Sequence, residues 1–276
     1  MTQLRNIYLI LTILLLGLSC KKTHHIELCS YSGSDSLTYQ DPQAHCHIDL
    51  ISEVRLSQLK CESDEVTEQR IAKNINNFII NGIASDYKDE PADSIVSHIV
   101  KNNMSELLSN LHEKNLFSSD SCDILSPIYD TTEVTDTLYY RINADCYFGM
   151  NDTILCVRLS SSIYTGGAHP GTITNCYNFS LTDGSMIRLG KIIPSEHIPT
   201  LLSRIKSRLL EKKYILSESE LALNEEHALD EIPQILLEKD SILLFYGSYS
   251  IAPFSAGEIE LKFSYKELED LTTIQR

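Results

Sequence analysis

The sequence predicts an α+β fold, an antiparallel β-sheet built of hairpins with about three amphipathic helices packed on it. Three observations carry that expectation. Apolar residues recur at three- and four-residue steps in three segments, they alternate with polar residues in others, and the alternating segments are joined by short turn sequences.

Before the first of these segments the chain opens on Arg5, an apolar run from Ile7 to Leu16, and then Gly17-Leu18-Ser19-Cys20. A basic start, a short apolar core and small residues before a cysteine form a bacterial lipoprotein signal, and the run falls short of the ~20 apolar residues a membrane span needs. Residues 1–19 are therefore expected to be removed and Cys20 to carry the lipid, a palmitate-type acyl chain, so that membrane contact runs through the N-terminal lipid only. Lys21-Lys22 follows in place of an acidic cluster that would favour surface export, which leans the placement toward a periplasm-facing position in the cell envelope. Residues 20–43 are rich in Ser, Thr, Tyr and His without a sustained period and read as a flexible tether. His24, His25, Cys29, His45, Cys46 and His47 have metal-ligand residue types but lack the paired spacing of a zinc site, so no metal and no cofactor are assigned.

The folded part divides into an N-terminal α+β half over 44–160 and a C-terminal half over 161–276, the two forming one compact unit. A strand is expected around Ile48 to Val54. Ile71, Ile75, Phe78 and Ile79 then mark a helix within Asp64 to Ile83, and Pro91 leads into a clearer one with Ile95, Val96, Ile99, Val100, Met104, Leu107, Leu108 and Leu111 on one stripe. From Leu138 the period becomes two, with Leu138, Tyr140, Ile142, Ala144, Cys146 and Phe148 on one face. After a turn at Gly149 to Asp152, Leu155, Val157, Leu159 and Ile163 form the next apolar face. Strands over Ile173 to Leu181 and Met186 to Leu189 flank the hairpin turn Asp183-Gly184. A third helix within Pro194 to Leu210 carries Ile198, Leu201, Leu202, Ile205 and Leu209, and a looser acidic helical patch spans Ser217 to Leu229. Gln234 to Leu237 and Ile242 to Tyr246 make another hairpin, and Ile259, Leu261 and Phe263 a last strand.

Formal charge is −15, and one unit more negative once Arg5 is removed with the signal. Nucleic acid is thereby excluded as a partner, whereas a negative field favours encounter with cationic proteins. Of eight cysteines, seven remain beside Cys20, an odd number that leaves at least one unpaired in a monomer. If the strands around Cys146 and Cys156 share one core, the two thiols fall on opposite faces.

Special backbone chemistry and a titratable side chain coincide at Ser162 to Gly171, which contains Tyr164, Gly166, Gly167, His169 and Pro170. Adjacent glycines permit positive φ, and Pro170 pushes His169 toward an extended backbone. A single histidine in such a turn ordinarily serves as a hydrogen-bonding residue. Three pieces in order, Tyr164-Thr-Gly-Gly-Ala-His169, Tyr177-Asn-Phe-Ser-Leu-Thr-Asp-Gly184 and Tyr249-Ser-Ile-Ala-Pro-Phe-Ser-Ala-Gly257, resemble the extracytoplasmic domain family shared by the lysozyme-sensing anti-sigma factor RsiV and the non-catalytic N-terminal part of the deacetylase PdaC. The resemblance covers Val134 to Leu271 and extends more loosely back to Cys46. It implies a compact α+β domain with a binding role, and its loops place partner contact at Tyr164, Gly166, Gly167, His169, Tyr249, Pro253 and Phe254. Neither a sigma-binding segment nor a deacetylase domain accompanies it here.

These readings lead to an exported, lipid-anchored binding protein that is not an enzyme, with a cationic protein such as lysozyme or a peptidoglycan-related ligand as partner. The alternatives are a cell-envelope hydrolase using His169 with Asp183, Glu258 or another acid, and a purely structural envelope lipoprotein. No Gly-x-Ser-x-Gly elbow, His-Glu-x-x-His run or phosphate-binding glycine loop supports the hydrolase. A hydrolase should set His169 in a concave pocket beside another polar side chain, and a binding module should leave the loop convex or satisfied by backbone.

Overall fold

Two sheets organise the described chain. The computed structural model describes residues 25–41, 46–87, 90–113, 134–214, 233–252 and 254–274. The first sheet has five strands in the order β1 (Ile26–Asp41), β2 (Cys46–Cys61), β3 (Val134–Phe148), β4 (Ile154–Tyr164) and β5 (Gly171–Ser180). The second has three, β6 (Gln234–Leu237), β7 (Ser241–Tyr246) and β8 (Ile259–Ser264). The fold class is α+β, as the sequence predicts.

Four departures from the expected details have physical reasons. β2 and β3 pair in parallel, because the chain between them crosses over through two helices and returns in the same direction. Residues Ile26–Asp41, assigned by composition to the tether, form the edge strand β1 in continuous register with β2; Tyr31, Leu37 and Tyr39 alternate there with serines, a period that low hydrophobicity hides. The expected strand Met186 to Leu189 reduces to one bridge, Phe179 to Met186, because a 3-10 turn over Leu189–Lys191 takes the chain away. The division at 160/161 falls inside β4, which runs unbroken across it. The acidic patch 217–229 lies outside the described residues.

The helices on the first sheet follow from apolar spacing. In α1 (Val66–Ala84), Ile71, Ala72, Ile75, Ile79 and Ile80 are buried. Its start is tied by Ser63, whose hydroxyl accepts from the Glu65 N–H at 3.0 Å and donates to Glu68 at 2.9 Å. In α2 (Ala92–Glu113), Ile95, Val96, Ile99, Val100, Met104, Leu107 and Leu111 are buried. Each such side chain contributes about 1.5–3 kcal/mol. Both helices lie on one face of the sheet, against Leu50, Val54, Leu56, Leu138, Ala144, Leu155 and Val157. No described helix is long and apolar enough to cross a membrane.

On the opposite face of the first sheet, β4 and β5 pack against the second module, where Ile154, Cys156 and Cys176 join the core of β6, β7, β8 and α3 (Ile198–Glu211). Ile242, Leu244 and Tyr246 register with Phe263, Leu261 and Ile259 under α3. Leu243 and Phe245 point the other way, with the Arg158 guanidinium 4.9 Å from the Phe245 ring centroid. Two carboxamides stitch the sheets together. Asn178 donates to the Ile235 carbonyl at 2.8 Å and accepts from the Leu237 N–H at 2.8 Å, while Gln234 accepts from the Cys176 N–H at 2.6 Å and donates to the Thr174 carbonyl at 3.2 Å. Each amide stands in for a peptide group of a neighbouring strand.

Cys29, Cys61, Cys146, Cys156 and Cys176 are free thiols. Cys146 registers with Val157 and Cys156 with Tyr147, so the two thiols occupy opposite faces as the alternation requires.

Candidate functional site

The glycine turn between β4 and β5 meets the loop between β7 and β8, two segments some eighty residues apart in sequence. Gly166 and Gly167 adopt φ of +91° and +117°, with open space where a side chain would stand, so conformation and not packing selects glycine there. The Tyr164 hydroxyl donates across the turn to the Gly167 carbonyl at 2.9 Å. In the other loop, Tyr249 is held at φ +67°, unusual for a bulky side chain, and Phe254 opens a 3-10 turn closed by the Gly257 N–H on the Phe254 carbonyl at 2.8 Å.

His169 sits between these residues. Its ring stacks on Phe254 with centroids 3.9 Å apart and planes 22° apart, and it lies 5.9 Å from the Tyr249 ring. Nδ1 is 3.2 Å from the Pro170 carbonyl oxygen, which can only accept, so the imidazole proton is assigned to Nδ1. Nε2 is then an acceptor, and the Tyr249 hydroxyl 3.0 Å away donates to it. Both ring nitrogens are thereby engaged. Asp183, one of the acids put forward as a catalytic partner, instead accepts from the Ser185 N–H at 2.9 Å, which with neighbouring hydroxyls holds its carboxyl below the usual range. His169 is exposed, Tyr249 is 61 % exposed and Phe254 is half-buried, so the cluster is a solvent-facing aromatic surface.

The expected contact residues Tyr164, Gly166, Gly167, His169, Tyr249 and Phe254 thus come together at one end of the molecule. Pro253 and the lipid-attachment candidate Cys20 lie outside the described residues. Tyr164 also reaches the open face of the first sheet, where its ring centroid is 6.0 Å from that of Tyr139. Burial, then the charge of Asp136, pushes its phenol pKa up. Arg141 stacks over Tyr139 at 4.3 Å and donates from Nε to Glu53 at 2.9 Å. The alternation in β3 marks Tyr139 and Arg141 only as polar-side residues, and nothing in the linear sequence joins them to Tyr164 or His169 to Phe254.

Among the described residues no group of three or more His, Cys, Asp or Glu side chains is placed to hold a metal ion. His47 pairs with Asp49 at 3.3 Å. His24, His45 and the Cys46 side chain lie outside the described residues.

Fold and site together define a two-sheet α+β protein with an exposed aromatic clasp between two loops. Residues 192–266, which span α3 and the second sheet, match the family model described as "Protein of unknown function (DUF3298)". This corrects the resemblance drawn to RsiV and PdaC, whose first two motifs lie outside the matched segment. Those motifs are turn sequences, and glycine, proline and Asp-Gly recur wherever such turns are needed. The chain is similar in fold to a crystal structure of a DUF3298 family member from Bacteroides fragilis NCTC 9343, with a TM-score of 0.65 at 18 % identity over 92 % of this chain and 96 % of that one. A DUF3298 family protein from Pseudomonas aeruginosa PAO1 aligns over 90 % of this chain and 95 % of its own at 17 % identity, with a TM-score of 0.46. No curated protein matches the sequence. At these identities the first likeness speaks to fold alone.

Proposed function

We propose that the protein is an exported, lipid-anchored binding protein of the cell envelope that presents the His169, Tyr249 and Phe254 clasp to a cationic protein or a cell-wall component. The exposed stack of His169 on Phe254, tied to Tyr249 by a hydrogen bond, carries this reading. Exposed aromatic rings fixed by their neighbours are what a contact surface needs. The formal charge of −15 supports a cationic partner, without singling out lysozyme among basic proteins.

The test uses the full chain immobilised at low salt, with lysozyme and cytochrome c as cationic probes and purified peptidoglycan as the wall probe. Retention of at least one probe is expected. Retention of a protein probe should weaken as the Debye length falls from about 10 Å at 0.1 M to about 3 Å at 1 M salt. Tyr249→Asn, which keeps a residue tolerant of positive φ while removing the ring, should weaken retention about tenfold. The proposal is wrong if none of the three probes is retained, or if the variant binds as well as the native chain. Labelled palmitate should appear in the native chain and be absent from Cys20→Ala.

A further inference from the structure

We propose that the outer edge of β1 docks a second copy of this chain, the two β1 strands pairing antiparallel about Ser34 to join two five-stranded sheets into one. β1 is 16 residues long, lies at the end of the strand order, and no described strand pairs with its outer side. Its register with β2 is continuous from Ile26 opposite Cys61 to Asp41 opposite Cys46, so no bulge twists the edge away. Exposed edges are commonly guarded by lysine, proline or other charge; β1 contains no lysine or proline, and Asp35 is its one charge between Glu27 and Asp41.

Symmetry and side-chain pattern select the register. In an antiparallel pair, directly opposed residues share a face, so a two-fold arrangement with the helices of both copies on one side pairs odd residues with odd and even with even. An axis through Asp35 would set two carboxylates against each other, and one through Gly33 would set Asp35 against Tyr31. The axis through Ser34 places Leu37, 45 % exposed in the single chain, against Tyr31 of the second copy. On the other face it pairs Ser36 with Ser32 and Thr38 with Ser30, hydroxyl against hydroxyl. Glu27 would meet Asp41, which ends the paired ribbon near Leu28 and Gln40.

Helix spacing fits the same arrangement. α2 packs on β1 and β2, and Gly33 lies so close beneath it that a Cβ there would meet Val96 Cγ1 at 2.7 Å. With strands about 4.8 Å apart and each α2 centred between its own β1 and β2, the two α2 helices would lie about 10 Å apart. That is the separation of packed helices, neither a clash nor a gap.

Cysteine cross-linking of the full chain in membranes tests the register. Ser34→Cys brings two thiols together at the axis, within the Cα separation a disulfide spans. Ser30→Cys holds its two thiols about 26 Å apart along the ribbon. Under mild oxidation Ser34→Cys should give about tenfold more covalent dimer than Ser30→Cys or the native chain, and Ser30→Cys with Thr38→Cys should restore it. Leu37→Lys added to Ser34→Cys should reduce the dimer about fivefold. Equal cross-linking of Ser34→Cys and Ser30→Cys overturns the proposal, whether the chain stays single or another protein's strand takes the edge.

Discussion

The larger sheet is covered by helices on one face and is largely open on the other, whereas the smaller is covered on both, by α3 and by β4 and β5. All six residues of β7 are buried, while Ser30, Ser32, Ser34, Ser36 and Thr38 line an exposed face of β1. The three-stranded sheet with α3 has a core on both of its faces, and the five-stranded sheet has a core under its helices and leaves much of its other face to solvent.

That contrast breaks most directly by truncation. Phe245→Ala should cost about 3–5 kcal/mol in urea unfolding, because it empties a site packed between the two sheets. Tyr139→Ala on the open face should cost about 1 kcal/mol or less. Similar values for the two would mean that the open face is packed as tightly as the junction between the sheets. A smaller effect compares the carboxamides. Asn178→Ala leaves the Ile235 carbonyl and the Leu237 N–H buried without partners and should cost about 2–3 kcal/mol. Asn76 makes the same double contact with the Leu59 peptide groups, both at 2.8 Å, but in a part-buried place that water reaches, so Asn76→Ala should cost about half as much.

The junction also sets a pH dependence that is absent at neutrality. Burial pushes the Cys156 and Cys176 thiols up to about 12. The folded state therefore keeps protons that the unfolded chain releases at ordinary thiol values near 8.5–9. Stability from this source is whole below that range and declines as pH rises toward 12. Urea unfolding at pH 7, 9 and 10.5 should show the decline, and Cys156→Ala should flatten part of it. Cys29 and Cys61, less buried, should react with a thiol reagent at pH 8 well before Cys156 and Cys176 do.

How much of this was legible in the sequence depends on how each segment is buried. Half-buried strands such as β3 and β8, and the helix stripes of α1, α2 and α3, announce themselves by period, because one face meets a core and the other meets water. β1 shows no clear strand period in the sequence because Gly33, beneath α2, and the exposed Asp35 interrupt the alternation that Tyr31, Leu37 and Tyr39 would otherwise display. The parallel pairing of β2 with β3 depends on how a long crossover folds back, which local pattern does not encode. At the candidate site, glycine and proline made the loop at 164–170 visible, and the Tyr249 and Phe254 loop was visible beside it. Their meeting through His169 was not, since a stack across 85 residues leaves no linear trace.

If Cys20 holds an acyl chain, only five residues, Lys21 to His25, separate it from the first residue of the sheet. Even drawn out fully, that leash spans about 20 Å. The start of β1 would then stay moored near the bilayer like a boat on a short line, while the body beyond it reaches outward by its own length.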